Sequence, residues 1–128
     1  MGRKKSFNEK DIVKRMGETF IKYGYEGTSL DDLVKATGLL RGSLYSTFGS
    51  KRGMFISALL KSIADDPYNS QTLNLVIVAM MELTSNDKQL LDIIKKWAQN
   101  LKKDELISII GNAVVSRSQI LKGEKNGK

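Results

Sequence analysis

The chain has 128 residues, of which 41% are hydrophobic, so it is long enough and apolar enough to bury a packed core. It contains no cysteine and no histidine. This excludes disulfides, thiolate metal sites and cysteine nucleophiles, and it removes the commonest general base, so we expect no enzyme, no cofactor and no metal site. The formal net charge of +7 favours a polyanionic partner, with nucleic acid ahead of an anionic membrane.

Targeting and membrane signals are absent from the sequence pattern. The basic start, MGRKKSFNEK, is not followed by the apolar run of a signal peptide. No stretch approaches the roughly 20 apolar residues that span a bilayer. The longest near-continuous apolar run, from Leu73 to Met81, includes Asn74 and is typical of a buried helix. We therefore expect a cytoplasmic protein with no membrane partner.

Helical spacing of apolar residues predicts four helices in the first half of the chain. A short basic arm, Arg3-Lys4-Lys5, precedes them. Caps and glycines mark the helix ends, and Pro67, the only proline, closes the fourth helix. The predicted elements are a helix over 9–23 capped by Asn8, a short helix between Ser29 and Gly38, a short helix at about 41–47, and a helix from Ser50 to about Asp66.

Three further helices are predicted beyond Pro67. Residues 71–84 are apolar nearly all round, as expected of a helix enclosed by others. Asn86 with Gln89 forms a capping pair that opens the next helix, and residues 104–121 form the last one. We therefore expect an all-α fold. Its expected parts are a helix-turn-helix domain at 1–49, a linking helix at 50–66 and a helical C-terminal region at 67–128 for dimerisation and possible ligand binding.

The segment from Ser29 to Phe55 carries the functional signal. Two short helices separated by a glycine-containing turn are typical of a helix-turn-helix, whose second helix enters the DNA major groove. Leu44 and Phe48 can dock that second helix onto the first. Arg41, at its start, can donate two hydrogen bonds to guanine or pair with a phosphate. The remaining face is small and polar, which lets the backbone approach DNA closely, and its residues are Gly42, Ser43, Ser46 and Thr47.

Phosphate contacts are expected on both sides of the reading helix. Ser29 and Ser50 lie at helix N-termini, where free amide groups and the positive end of the helix dipole favour a phosphate oxygen. Lys51 adds a full charge beside Ser50, and Tyr45 supplies a phenol. Each of these residues alone also has an ordinary structural explanation as a cap or a surface side chain, so only their convergence on one face favours DNA.

The run GYEGTSLDDLVKATGLLRGSLYSTFGSKRGMF resembles the DNA-binding signature of the tetracycline-repressor (TetR) family. The resemblance covers about residues 8–64. It implies a dimeric transcriptional regulator, commonly a repressor on an inverted-repeat operator in double-stranded DNA. The DNA-facing residues that it implies are Ser29, Arg41, Gly42, Ser43, Tyr45, Ser46, Thr47 and Lys51.

Several features depart from the family pattern. Leu40 stands where a capping serine is usual, which costs about 1 kcal/mol or leaves an apolar contact for a thymine methyl. Gly53 replaces an acidic capping residue, and Gly17 replaces a usual alanine at a cost of roughly 1 kcal/mol. Family members usually carry five or six C-terminal helices with an inducer pocket, whereas only 61 residues follow Pro67 here. The resemblance therefore implies a shortened C-terminal domain.

Two sets of residues in the second half have alternative interpretations. One set could line a small-molecule cavity or simply fill the core, as methionines and a lone tryptophan usually do; it comprises Tyr68, Met80, Met81 and Trp97. The other set lies on the last helix and could form the seam of a homodimer or pack within one subunit. This second set comprises Ile107, Ile110, Val114 and Leu121, of which the first three are the preferred interface residues.

Three hypotheses follow. The first is a dimeric repressor that a small-molecule inducer releases from DNA. The second is a shortened regulator without a ligand pocket, which binds DNA constitutively or acts through a partner protein. The third is a helical protein-interaction module whose positive charge is incidental, and it predicts no salt-sensitive DNA binding.

Overall fold

A computed structural model describes residues 8–123, so the predicted basic arm Arg3-Lys4-Lys5 lies outside the described residues. The described part is all-α, as predicted, with no strand between residues 8 and 123. None of its helices combines the length and the apolar character that a membrane span requires. The helices are α1 (Glu9–Tyr23), α2 (Leu30–Thr37), α3 (Arg41–Phe48), α4 (Lys51–Asp65), α5 (Ser70–Glu82), α6 (Lys88–Ala98) and α7 (Lys103–Ser118).

Local capping chemistry sets most helix ends where the sequence predicts them. The Asn8 side chain accepts a hydrogen bond from the Asp11 amide at 2.8 Å, and Ser29 and Asp32 form a complete capping box. Two predicted ends are wrong. The sixth helix is capped by Asp87, whose carboxylate accepts from the Leu90 amide, and not by Asn86. The last helix ends at Ser118, because Gln119 adopts the left-handed conformation (φ 62°) and the chain turns away.

An aromatic cluster joins α1 to α4 at the centre of the first half. The rings of Phe20 and Phe55 meet edge to face with centroids 5.2 Å apart, and both side chains are fully buried. Tyr25, from the α1–α2 loop, stacks on Phe20 at 5.8 Å and meets Phe55 edge to face at 5.6 Å. Such contacts contribute about 0.5–1.5 kcal/mol each beyond the area that they bury. They fix the crossing of α1 and α4.

The second half shares this core instead of forming a separate one. A single cluster of buried side chains runs from Ile12 in α1 to Trp97 in α6. Helix α5 lies close to α1 at Gly17, where a Cβ atom would lie 2.8 Å from the end of the Gln71 side chain and 3.5 Å from Leu75. Because the Gln71 side chain is flexible, an alanine would fit here after a small shift, and the cost in helix propensity at Gly17 has no structural explanation.

Polar contacts also tie the second half to the first. The Glu82 carboxylate, at the end of α5, accepts hydrogen bonds from the amides of Tyr25 and Glu26, each at 2.9 Å. Arg52 donates to both oxygens of Asp87, through Nε at 2.6 Å and Nη2 at 2.9 Å. The segment from Glu82 to Asp87 therefore holds both the α1–α2 loop and the start of α4.

Helix α7 is packed differently from the other six. None of its residues is buried, although it is 16 residues long and packs along α5. Arg117 of α7 donates to the Ile21 carbonyl oxygen of α1 at 2.5 Å, which links α7 to the first half. The same guanidinium also donates to Asn74 of α5 at 3.3 Å. The described part of the chain therefore leaves one side of α7 open to solvent.

The pair formed by Arg52 and Asp87 makes stability depend on pH. The bidentate hydrogen bonds from Arg52 lower the pKa of the Asp87 carboxyl from its ordinary 3.8 to about 2. A carboxyl with a lowered pKa contributes stability above its ordinary pKa and loses it as pH falls toward the folded value. We therefore expect Asp87→Asn, which keeps a capping side chain, to destabilise the protein at neutral pH by an amount that shrinks between about pH 4 and pH 2.

The measurement is the urea unfolding midpoint of both proteins between pH 6 and pH 2, compared as a difference. Asp92→Asn is the matched control, because Asp92 is exposed and lies 3.7 Å from the Lys88 ammonium. The difference between wild type and this control should change little with pH. A difference between wild type and Asp87→Asn that stays constant from pH 6 to pH 2 would contradict the expectation.

Candidate DNA-binding site

Helices α2 and α3 and the turn between them form a helix-turn-helix. Gly38 ends α2 in the left-handed conformation (φ 77°), and its amide donates to the Val34 carbonyl at 2.8 Å. The next amide, of Leu39, donates to the Thr37 hydroxyl at 3.1 Å, and the Leu39 side chain is buried. The turn is thus fixed both by hydrogen bonds and by an apolar anchor, which holds α3 at a defined angle to α2.

Helix α3 presents most of its surface to solvent. Only Leu44 is fully buried, and Phe48 is partly buried beside it, so these two residues dock the helix as predicted. At about 100° per residue, the direction opposite to Leu44 and Phe48 is occupied by small residues; they are Gly42, Ser43 and Ser46, and all are exposed.

The other predicted residues of α3 lie on its flanks. Arg41 and Tyr45 share one flank, and Thr47 lies on the other. Tyr45 is about half exposed, and the Arg41 guanidinium donates to the Asp31 carboxylate of α2. All the predicted α3 residues are therefore exposed, with the small side chains on the outward side of the helix and the larger ones on its flanks.

The start of α3 is uncapped and apolar. Leu40 occupies the N-cap position, makes no side-chain capping hydrogen bond and is 77% exposed. The amide groups of the first turn therefore receive no side-chain acceptor from Leu40. A large apolar side chain and free amides lie together at the end of the helix that is expected to meet DNA first.

The two helix N-termini that flank α3 differ in charge. In α2 the Ser29 hydroxyl accepts from the Asp32 amide at 3.0 Å, and the first turn contains both Asp31 and Asp32. In α4 the Ser50 hydroxyl accepts from the Gly53 amide at 2.9 Å, and the first turn contains no acidic residue. A phosphate is therefore favoured at α4 and opposed by two carboxylates at α2.

Position 53 accepts no side chain at all. A Cβ atom on Gly53 would lie 2.0 Å from the Phe48 carbonyl oxygen, which belongs to the backbone. The acidic residue that the resemblance led us to expect at this position would therefore not fit this turn. The glycine is a steric requirement of the close passage from α3 to α4.

Lys51 and Arg52 are neighbours with different partners. The Lys51 ammonium lies 4.6 Å from the centroid of the Tyr25 ring, an arrangement in which the ring face attracts the cation. Burial raises the pKa of the Tyr25 phenol, so this ring stays neutral. Arg52 points to Asp87 and Gln89 instead. Arg52 is therefore paired with a carboxylate, whereas Lys51 forms no ion pair within residues 8–123.

Charge is spread over the chain and is not concentrated in this site. Residues 8–66 contain nine Lys and Arg and eight Asp and Glu, a net charge of +1. Three of the remaining positive charges lie in the arm at Arg3-Lys4-Lys5. Individual groups such as Lys51 and Arg41, rather than a broad basic face, therefore distinguish the surface around α3.

The four residues predicted to line a ligand cavity do not come together. Trp97 is buried, and its indole nitrogen donates to the Pro67 carbonyl at 2.7 Å, while Tyr68 lies beside it with ring centroids 6.0 Å apart. Met80 and Met81 are exposed at the other end of α5, about 15 Å along the helix axis from its start. A groove of about 610 Å³ between α5 and α7 includes Tyr68 but not the other three.

The predicted interface residues of α7 are divided between two environments. Ile107 is 58% exposed and Val114 is 45% exposed, so both face solvent in the single chain. Ile110 is partly buried and packs against the core cluster, as in the alternative interpretation. Leu121 lies beyond the end of α7 and is exposed.

Sequence reasoning missed the acidic partners that organise the site. Asp31 pairs with Arg41, and Asp87 pairs with Arg52. Glu82 accepts hydrogen bonds from the amides of Tyr25 and Glu26. The contact of Tyr25 with Glu82 spans 57 residues and that of Arg52 with Asp87 spans 35, so no local pattern points to them. Asp31 and Arg41 are ten residues apart across a predicted turn, and their opposite charges were the one available signal.

Comparison with known proteins gives matches in the first half of the chain. Residues 10–58 match the model of a family described as bacterial regulatory proteins, tetR family. The uncharacterized HTH-type transcriptional regulator YezE of Bacillus subtilis is 51% identical over 59 residues, which are 46% of this chain and 30% of that protein. The HTH-type transcriptional repressor ComR of Escherichia coli is 41% identical over 58 residues, 45% of this chain and 28% of that protein.

A third relative, the HTH-type transcriptional repressor AcnR of Corynebacterium glutamicum, is 32% identical over 56 residues, 44% of this chain and 30% of that protein. The matched region thus spans less than a third of each relative. All three are named as transcriptional regulators or repressors and none as an enzyme. No solved structure matches the chain. Residues 10–58 therefore form a helix-turn-helix domain that matches the tetR family of bacterial regulatory proteins.

Proposed function

We propose that this protein is a cytoplasmic transcriptional regulator that represses its targets by binding an inverted-repeat site in double-stranded DNA as a homodimer. The observation that carries the proposal is the exposure of α3 within a domain of the TetR family. All of this helix except Leu44 and Phe48 faces solvent, and its outward side is small enough to enter a groove. The proposed contact surface comprises Leu40 and the predicted residues Ser29, Arg41, Gly42, Ser43, Tyr45, Ser46, Thr47 and Lys51.

Each contact has a distinct chemical role in this proposal. Arg41 reads a guanine through its planar guanidinium, and exposed Leu40 packs against a thymine methyl. Lys51 and the free amides at the start of α4 bind a phosphate, because no acidic residue occupies that turn. Ser29 has a weaker role, since its hydroxyl already serves the α2 cap and only its proton remains to be donated.

The homodimer is proposed on the open side of α7. Helix α7 has 16 residues and none is buried, so packing within one chain stabilises it little. An exposed apolar face of this kind is usually covered by a partner. Ile107 and Val114 lie on that face with Gly111, where an added Cβ would meet nothing within 4 Å. An isologous contact places the same helix of two copies against each other. It also supplies the second reading helix that a selective site requires.

Release by a small molecule is not part of the proposal. The side chains that would have lined a cavity lie in two places, and the groove near Tyr68 is open. Because the predicted lining residues are separated within residues 8–123, we favour the regulator without a ligand pocket. An interaction module without DNA binding is the competing function, and the following measurement separates the two.

Arg41→Ala and Lys51→Ala should weaken DNA binding in different ways. Loss of Arg41 should cost about 1–3 kcal/mol at the preferred site and relax the preference at one base pair. Loss of Lys51 should weaken binding to all sequences alike and lower the slope of log K against log salt by about one. Selection from random duplexes, followed by titrations at several salt concentrations, measures both effects.

Lys96→Ala is the charge-matched control, since Lys96 is exposed on α6 and distant in sequence from the helix-turn-helix. It should leave site preference unchanged and alter the salt slope by less than Lys51→Ala does. Failure of the wild type to select any duplex sequence at moderate salt would reject the proposed function and favour the interaction module.

Gly42→Ala should separate stability from binding. Gly42 lies in α3 without a positive φ, and an added Cβ would meet nothing within 4 Å in the free protein. Alanine should therefore stabilise the helix by up to about 1 kcal/mol. The same methyl should weaken DNA binding by about 1–3 kcal/mol if the backbone packs against DNA at this point. Urea unfolding and DNA titration test the two halves, and undiminished affinity would place the close approach elsewhere on α3.

Ile107→Asp should yield monomers that keep their helical content but bind the site weakly. The carboxylate would be buried in the proposed seam yet remain solvated in the single chain, because Ile107 is 58% exposed. Ile110 is a poorer test position, since it packs on the core. Asn112→Asp adds the same charge on another side of α7 and should stay dimeric. Light scattering at micromolar concentration measures the molar mass of each variant. A monomeric mass for the wild type would contradict the homodimer.

A further inference from the structure

Asp31 is an acidic residue in an unexpected place. It is the second residue of α2, exposed, on the surface where the proposed function puts DNA phosphates. Its carboxylate accepts a hydrogen bond from Nη2 of Arg41, the first residue of α3. The two side chains are 73% and 57% exposed, so neither is held by burial. An exposed ion pair of this kind adds little to stability, which leaves its position beside the reading helix to be explained.

The pair is unusual among the ion pairs of residues 8–123. Two of the others, Lys61–Asp65 and Lys88–Asp92, join residues four apart within one helix. The pair of Arg52 and Asp87 ties the two halves of the chain together. The pair of Asp31 and Arg41 instead bridges the two helices of the helix-turn-helix and includes the residue expected to read a base.

We propose that Asp31 is a specificity-determining, positioning residue that directs Arg41 to a base edge and away from the phosphate backbone. A guanidinium has five N–H donors, and Asp31 engages one nitrogen, which leaves donors free for a guanine. The carboxylate repels phosphates, so a phosphate contact of Arg41 would bring two negative groups together. The base edge carries no net charge and meets no such penalty. This inference rests on the proposed function.

The proposal predicts opposite changes in two measured quantities. In Asp31→Ala, Arg41 is free to pair with phosphate, so affinity for non-specific DNA should rise and the salt slope should steepen by about one. The preference for the base pair that Arg41 reads should fall roughly ten- to a hundredfold. A merely structural role of Asp31 in α2 would lower specific and non-specific affinity together, with loss of thermal stability.

Asp31→Asn separates charge from geometry. Its amide oxygen can still accept from Arg41, so part of the base preference should return while non-specific affinity stays raised. Asp104→Ala is the matched control, because Asp104 is likewise the second residue of its helix, α7, and lies far along the chain from α3. It should change neither the preference nor the salt slope.

The experiment is selection from random duplexes with wild type, Asp31→Ala, Asp31→Asn, Arg41→Ala, the Asp31→Ala/Arg41→Ala double variant and Asp104→Ala. We expect Asp31→Ala and Arg41→Ala to lose preference at the same base pair and the double variant to lose no more than Arg41→Ala alone. An unchanged preference in Asp31→Ala, or additive losses in the double variant, would overturn the inference. If the wild type selects no sequence, the proposed function itself has failed, which is a distinguishable result.

Discussion

The contact between Phe20 and Phe55 determines how the first half of this protein is arranged. It joins α1 to α4 at 5.2 Å, and the two helices carry α2 and α3 between them. Leu33 of α2 and Leu44 of α3 are fully buried against the same cluster. The exposed surface of α3 is therefore oriented by a core on its other side and not by its own sequence, which contains little apolar material.

The same aromatic cluster links the start of α4 to the second half. The Tyr25 ring contacts both phenylalanines, and the Lys51 ammonium lies over it. The Tyr25 amide donates a hydrogen bond to Glu82 at the end of α5. Lys51 and Arg52 are successive residues of α4 and so point about 100° apart. Lys51 lies over the Tyr25 ring and Arg52 is bound by Asp87, so a single turn of helix contacts both halves of the chain.

Much of the fold was predictable because it depends on local rules. Capping side chains, glycines and apolar spacing gave all seven helices and the helix-turn-helix, since each signal acts within about one helical turn. The start of α6 was not predictable in this way. Asp87, not Asn86, caps it, and the Asp87 carboxylate is also bound by Arg52, which lies 35 residues away. Tertiary contacts of this kind leave no trace in a local pattern.

The exposure of the predicted α3 residues follows from the sequence pattern, but the environments of the candidate site residues do not. The small residues of α3 are exposed, and the Lys51 ammonium lies over the Tyr25 ring. From the sequence pattern, Ser29 and Ser50 are equivalent candidates for a phosphate contact. The structure shows a difference in local charge, because the first turn of α2 is acidic and that of α4 contains no acidic residue. The sequence pattern alone suggests that Gly53 replaces a capping residue, whereas the Phe48 carbonyl oxygen leaves no room for a side chain there. Both distinctions depend on three-dimensional distances.

The small outward face of α3 has a consequence for how a DNA sequence would be distinguished. Gly42, Ser43 and Ser46 offer short side chains and few hydrogen bonds, so most base edges beneath them cannot be matched donor to acceptor. On the proposed function, groove width, the ease of bending and ordered water molecules would then carry much of the discrimination. Base pairs that no side chain touches would contribute to the choice of site through the shape and stiffness of the duplex.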